Sequence, residues 1–206
     1  MQTYIHPGYV RICHWVNAFA ILLMVASGWK IYNASPIYHF VFPKSVTIGG
    51  WLGGALLWHF AAMWVLVANG LLYLAINVLT GRFRVKFFPI SPIVFMRNLK
   101  DALLFKLKHS DFSHYNTLQK AAYLSVMLGI LITIISGLGV WKSTQFSAIA
   151  ELICGYDVAR IVHFYGMAFI VSFVIIHLLM VALVPKTMLN MLFASKKIPL
   201  LNSGIN

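Results

Sequence analysis

Four of the eight histidines sit in sequence that is otherwise apolar: His14, His59, His163 and His177. The last two are 14 residues apart. At about 100° and about 1.5 Å per residue, they fall on one face of a helix, about 21 Å apart along its axis. Two redox centres stacked across a bilayer need a spacing of that size. Ionisable side chains inside a membrane are rare and mark function by default. A neutral imidazole on a bundle-facing helix is a natural axial ligand for haem iron. Zinc fits less well, because it wants four close ligands and these histidines come with no obvious carboxylate or thiolate to complete such a set. A single buried histidine could instead serve an interhelical hydrogen bond. Four of them favour haem, and the absence of Cys-x-x-Cys-His makes that haem b-type. His6, His39, His109 and His114 fall in loops or tails and read as solvated.

Two arginines accompany the histidines. Arg11 stands three residues before His14, and Arg160 three before His163. Each puts a guanidinium one turn nearer to water on the ligand's face. Haem propionates point that way, and Arg binds carboxylates well; an ordinary anchor at the membrane edge is the alternative. Gly28, Gly53, Gly54, Gly129, Gly137, Gly139 and Gly166 would let a flat macrocycle approach, or would simply let helices pack closely.

The elements that must position these residues follow from composition. Of 206 residues, 61% are hydrophobic and only 10% charged, and the mean hydropathy is +0.84. Soluble domains carry about 25% charged residues, so a water-soluble globule is excluded, and so is a disordered chain. Two cysteines exclude a disulfide scaffold and a Cys-ligated iron–sulfur cluster within this chain. A bilayer takes about 20 helical residues to cross. Four apolar stretches qualify, at 12–32, 49–79, 118–141 and 158–184. None alternates like a barrel strand. The expected fold is an all-α integral membrane protein, a four-transmembrane-helix bundle in one domain over 1–195, followed by a short, loose tail at 196–206. There is no internal repeat and no low-complexity tract.

Twelve of the 16 basic residues fall on one side of these spans and four on the other, which puts both termini in the cytoplasm. The net charge of +12 is thereby a matter of sidedness and implies no nucleic-acid partner. A cleaved signal peptide is a poor reading of the first span, because Trp29-Lys30 stands where small residues should. Cys13 lies at the inner face and Cys154 at the outer, too far apart to bridge. Depth sorts the histidines into two levels, His59 with His163 outside and His14 with His177 inside. In the inner loop, 80–117, Pro92 opens an amphipathic basic segment over 93–109. That segment suits the lipid of an anionic inner leaflet.

Arg11-Ile12-Cys13-His14-Trp15, His59, Arg160-Ile161-Val162-His163 and His177 together resemble a known family over about 5–194. It is that of the four-helix di-haem b-type cytochromes, the membrane subunits of nickel–iron hydrogenases, formate dehydrogenase and thiosulfate reductase. The resemblance implies two haem b groups, the outer held by His59 and His163 and the inner by His14 and His177, in agreement with the depth ordering. It implies that quinone reacts beside the inner haem with the help of Asn116; His114 and Tyr115 are further candidates. From the residues alone Asn116 reads equally as the cap of the third span, and the glycine that relatives carry two residues later is Leu118 here. The implied function is electron transfer between the quinone pool and a redox partner on the periplasmic face of the bacterial inner membrane. The short outer loops, 33–48 and 142–157, would dock that partner. The wording around 51–69 and 89–107 is most similar to the branch that accompanies periplasmic molybdopterin oxidoreductases.

Two other readings compete. One is a stand-alone superoxide:quinone oxidoreductase on the same scaffold, with Lys30, Lys44, Lys142 and Arg160 steering the anion. The other is a haem-free anchor or small transporter, which lacks a broken-helix repeat signature and leaves the two histidine levels unexplained. Two axial histidines saturate the iron and make it a carrier of electrons, so no residue is assigned a catalytic role.

Overall fold

The computed structural model describes residues 2–4, 7–104, 116–142, 144–183, 188, 191–192 and 197–199. His6, His109, His114 and Tyr115 lie outside the described residues. In chain order the elements are β1 (Gln2–Tyr4), α1 (Gly8–Ala34), a 3-10 turn (Lys44–Val46), α2 (Leu52–Leu79), α3 (Arg82–Phe87), α4 (Pro92–Leu103), α5 (Thr117–Trp141), α6 (Ser147–Leu152), α7 (Tyr156–Leu183) and β2 (Lys197–Pro199). Four of them, α1, α2, α5 and α7, are long and apolar enough to cross a membrane. They are the four expected spans. The second begins at Leu52 rather than at 49, because Gly49 and Gly50 take positive φ (102° and 68°), a turn conformation that no helix continues. The short helices α3 and α6 were not expected.

The chain divides into two compact units, residues 1–82 with 181–206, and residues 83–180. In the first, α1 and α2 form an antiparallel hairpin, since partners climb one helix as they descend the other: Tyr9 meets Asn77, Asn17 meets Asn69, and Ser27 meets His59. The buried residues of α1 are Cys13, Ala20 and Ser27, spaced by seven. Ala55 and Ala62 repeat that spacing on α2. A seven-residue period keeps one seam of a helix facing its neighbour, and small side chains on it let two backbones approach closely. The large apolar residues point the other way: Phe19 is 64% exposed and Leu57 73%. Lipid satisfies such a surface and water does not.

The first unit also contains a two-stranded antiparallel ribbon, with Gln2 opposite Pro199, Thr3 opposite Ile198 and Tyr4 opposite Lys197. The tail was expected to be loose, and for Lys197–Pro199 this is corrected. Thr3, Tyr4 and Ile198 favour extended backbone, and pairing satisfies groups that neither strand satisfies alone. The ribbon places the two paired segments on the same side of any membrane.

In the second unit, α5 and α7 are antiparallel, with Gly129 against Phe169, Gly166 against Thr133 and Gly137 against His163. The buried residues of α5 are Gly129, Thr133, Ser136 and Gly139, again small. Asn116 and Gln119 form a capping box at the start of α5. The amphipathic segment is helical as α4, from the expected Pro92 to Leu103; 105–109 lie outside the described residues. Cys154 (φ 64°) and Gly155 (φ 99°) turn the chain from α6 into α7.

Candidate functional site

His59, on α2, faces α1. Its Nδ1 lies 3.1 Å from the Met24 carbonyl oxygen and 3.1 Å from Ser27 Oγ. A carbonyl only accepts, so Nδ1 carries the proton and donates it. The Ser27 hydroxyl is itself a donor to the carbonyls of Leu23 (2.6 Å) and Met24 (3.2 Å). Its oxygen therefore has lone pairs, not a proton, to offer the imidazole. With Nδ1 protonated, the ring's lone pair is on Nε2, the atom that binds a metal. Gly28 backs the ring: a Cβ there would stand 3.3 Å from His59 Cε1.

His163, on α7, meets α5 in the same way. Its Nδ1 is 2.9 Å from the Thr133 carbonyl oxygen and 3.4 Å from Ser136 Oγ. Ser136 donates to the carbonyls of Ile132 (2.9 Å) and Thr133 (3.1 Å). A Cβ on Gly137 would stand 2.9 Å from His163 Cε1 and 3.1 Å from Nδ1. Ser27 and Ser136 are both fully buried, at 0% exposure.

The other two histidines are half-buried and lie against aromatic rings. His14 meets Trp15 edge-on, with centroids 5.4 Å apart. His177 stacks on Phe173, one turn earlier on α7, at 5.9 Å with planes 7° apart. Arg11 is one turn before His14 on α1. Its Nε is buried and has no hydrogen-bond partner among the described residues, and the same holds for Trp29 Nε1. Arg160 is one turn before His163 on α7, with its guanidinium 5.8 Å from the Tyr156 ring centre. Asn116 Oδ1 accepts from the Gln119 backbone N–H (2.8 Å), and Gln119 Oε1 accepts from the Asn116 N–H (3.1 Å). The capping reading of Asn116 thus holds; its side-chain NH2 remains the group able to donate to a ligand.

These residues fit a b-type haem. Two imidazoles are held by Nδ1 with the lone pair on Nε2, each against a glycine. A buried guanidinium nitrogen without an acceptor, on Arg11, matches a propionate carboxylate.

Several polar groups escaped the sequence reading. Asn69 donates to the Cys13 carbonyl (2.8 Å) and to Asn17 Oδ1 (2.6 Å). Tyr9 donates to Asn77 Oδ1 at 3.2 Å, and Asn77, only 4% exposed, donates to the Tyr73 carbonyl at 2.8 Å. Their signal was present, since polar side chains in apolar helices call for partners. In the last turns of α1, Asn33 holds the backbone of Phe42 by two hydrogen bonds of 2.8 Å, and Trp29 stacks on Phe42 at 4.6 Å.

The chain matches the prokaryotic cytochrome b561 family over residues 5–194 and belongs to it. It is thus a multi-pass b-type cytochrome of the bacterial inner membrane, an electron-transfer membrane subunit. It is 53% identical, over 188 residues, to a protein of Azospira oryzae described as the putative protein-methionine-sulfoxide reductase subunit YedZ1; the match covers 91% of this chain and 95% of that relative.

Proposed function

We propose that this chain passes electrons from membrane quinol, through two b-type haems, to a reductase on the periplasmic face. The observation that carries the proposal is the Nδ1 anchoring of His59 and His163, which leaves each imidazole with its lone pair on Nε2. By the depth ordering of the sequence, His59 and His163 hold the outer haem, and His14 and His177 the inner one. When bound, a bis-histidine haem takes up and releases one electron at a time and has no open position for a substrate.

The other roles belong to the chain's own side chains. Arg11 and Arg160 neutralise propionates at the two edges of the membrane. Asn116 uses its Nδ2 donors for a quinone carbonyl while Oδ1 caps α5. The α4 helix lies on the lipid of the cytoplasmic leaflet, on the side of both termini, with Ile93 and Met96 among its exposed apolar residues. The name of the Azospira relative supports a partner that reduces methionine sulfoxide in proteins, and the sequence favours one of the molybdopterin type.

A pyridine-haemochrome assay on detergent-purified chain, with protein quantified in the same tube, tests the proposal. Two b haems per chain, reducible by a water-soluble quinol, are expected. Folded protein without haem would overturn it. Rapid reduction by superoxide without any partner would replace it with the stand-alone oxidoreductase.

A further inference from the structure

Each unit, taken alone, contains the same small device. In α1, the carbonyl of Met24, the hydroxyl of Ser27 and the space that a Cβ on Gly28 would take meet the His59 ring. In α5, the carbonyl of Thr133, the hydroxyl of Ser136 and the space that a Cβ on Gly137 would take meet the His163 ring. The spacing is identical: carbonyl, hydroxyl three residues on, glycine four residues on. Residues so spaced share one helix face, so the three groups form a single patch under the imidazole. In both cases the first helix of an antiparallel pair supplies the patch and the second supplies the histidine. In both, the serine proton is turned back to its own helix, to carbonyls at 2.6 and 3.2 Å in α1 and at 2.9 and 3.1 Å in α5.

We infer that Ser27 and Ser136 are positioning residues that tune the haem held by His59 and His163; this rests on the proposed ligand assignment. A fully buried serine whose hydrogen is committed elsewhere presents only lone pairs to the Nδ1–H. That N–H is then shared between a backbone carbonyl and a hydroxyl oxygen. Acceptors on the outer N–H of a ligating imidazole raise its basicity. A more basic ligand favours ferric over ferrous iron and lowers the reduction potential. The carbonyl, being backbone, sets the tautomer whatever the side chain; the serine adjusts how strongly the ring donates. Because both devices act on one haem, their effects have the same sign and add.

The test is a spectroscopic redox titration of the full-length protein carrying Ser27→Ala, Ser136→Ala or both. Two haems per chain are expected in every variant, since the anchoring carbonyls survive. One haem should move to higher potential in each single variant, and further in the double. The other should stay at its wild-type value. Two unmoved potentials, equal movement of both haems, or shifts of opposite sign would overturn the inference. So would haem loss from either alanine variant, because the serine would then be holding the ligand rather than tuning it. Failure of the ligand assignment is separable: wild-type protein would lack haem, or His59→Ala and His163→Ala would each keep two.

Discussion

Gly137 and His163 meet so closely that a Cβ on the glycine would stand 2.9 Å from the imidazole Cε1, whereas the matching contact of Gly28 with His59 is 3.3 Å. Carbon atoms prefer about 3.5–4.0 Å. The first contact forces a ring off its carbonyl, and the second asks for a shift of a few tenths of an ångström. Gly137→Ala is therefore expected to lower haem content toward one per chain, while Gly28→Ala retains two. Haemochrome stoichiometry of the two variants decides; equal retention would mean that α5 and α7 separate freely.

Single histidine substitutions should be selective. His59→Ala and His163→Ala are expected to remove the same haem, and His14→Ala and His177→Ala the other. Low-temperature optical spectra of the four variants sort them into two classes. Any other grouping breaks the proposed pairing.

Arg11 allows a test by sign. A buried donor left unsatisfied costs about 1–3 kcal/mol, and Arg11 Nε has no partner among the described residues. If it meets a propionate, Arg11→Leu lowers the thermal midpoint of haem-loaded protein and weakens haem retention. If it meets nothing, the same substitution raises the midpoint. The first outcome is expected.

Asn116 combines a cap with a proposed quinone contact, and the two separate cleanly. Aspartate keeps the side-chain oxygen that accepts from Gln119 but has no NH2 to donate. Asn116→Asp should leave thermal stability near wild type and slow haem reduction by quinol. Asn116→Ala should slow the reduction and also destabilise the protein, with about 1 kcal/mol lost with the cap. Wild-type reduction rates in the aspartate variant would remove Asn116 from the quinone site.

Asn69 ties α2 to α1 through Cys13 and Asn17. Interhelical hydrogen bonds in membranes average about 0.6 kcal/mol and reach about 1.7. Asn69→Leu should cost up to about 2 kcal/mol in detergent unfolding.

The spans and their histidines were readable in the sequence because both signals are local. An apolar run of sufficient length declares a crossing, and an ionisable residue within it declares a use. The Asn116 cap was readable for the same reason, since its partner is three residues away. Ser27 and Ser136 were not. In a single helix a serine bonded to its own preceding turn is unremarked, and its meaning comes from a ring 32 or 27 residues distant on another helix. The start of α2 depended on backbone angles at Gly49 and Gly50 that composition does not specify. Gln2–Tyr4 and Lys197–Pro199 pair across almost the whole chain, beyond the reach of any local pattern.

That terminal ribbon makes the chain close to a ring with one cut in it. The cut need not be where it is. Chains whose ends lie together commonly tolerate being joined there and reopened elsewhere. A permuted gene beginning ahead of α5, with its ribbon strands fused, would read α5, α6, α7, α1, α2, α3, α4. Every crossing would keep its direction, because two spans, α1 and α2, separate the new opening from the old one. The order in which the helices leave the ribosome would change, while the crossing pattern would not.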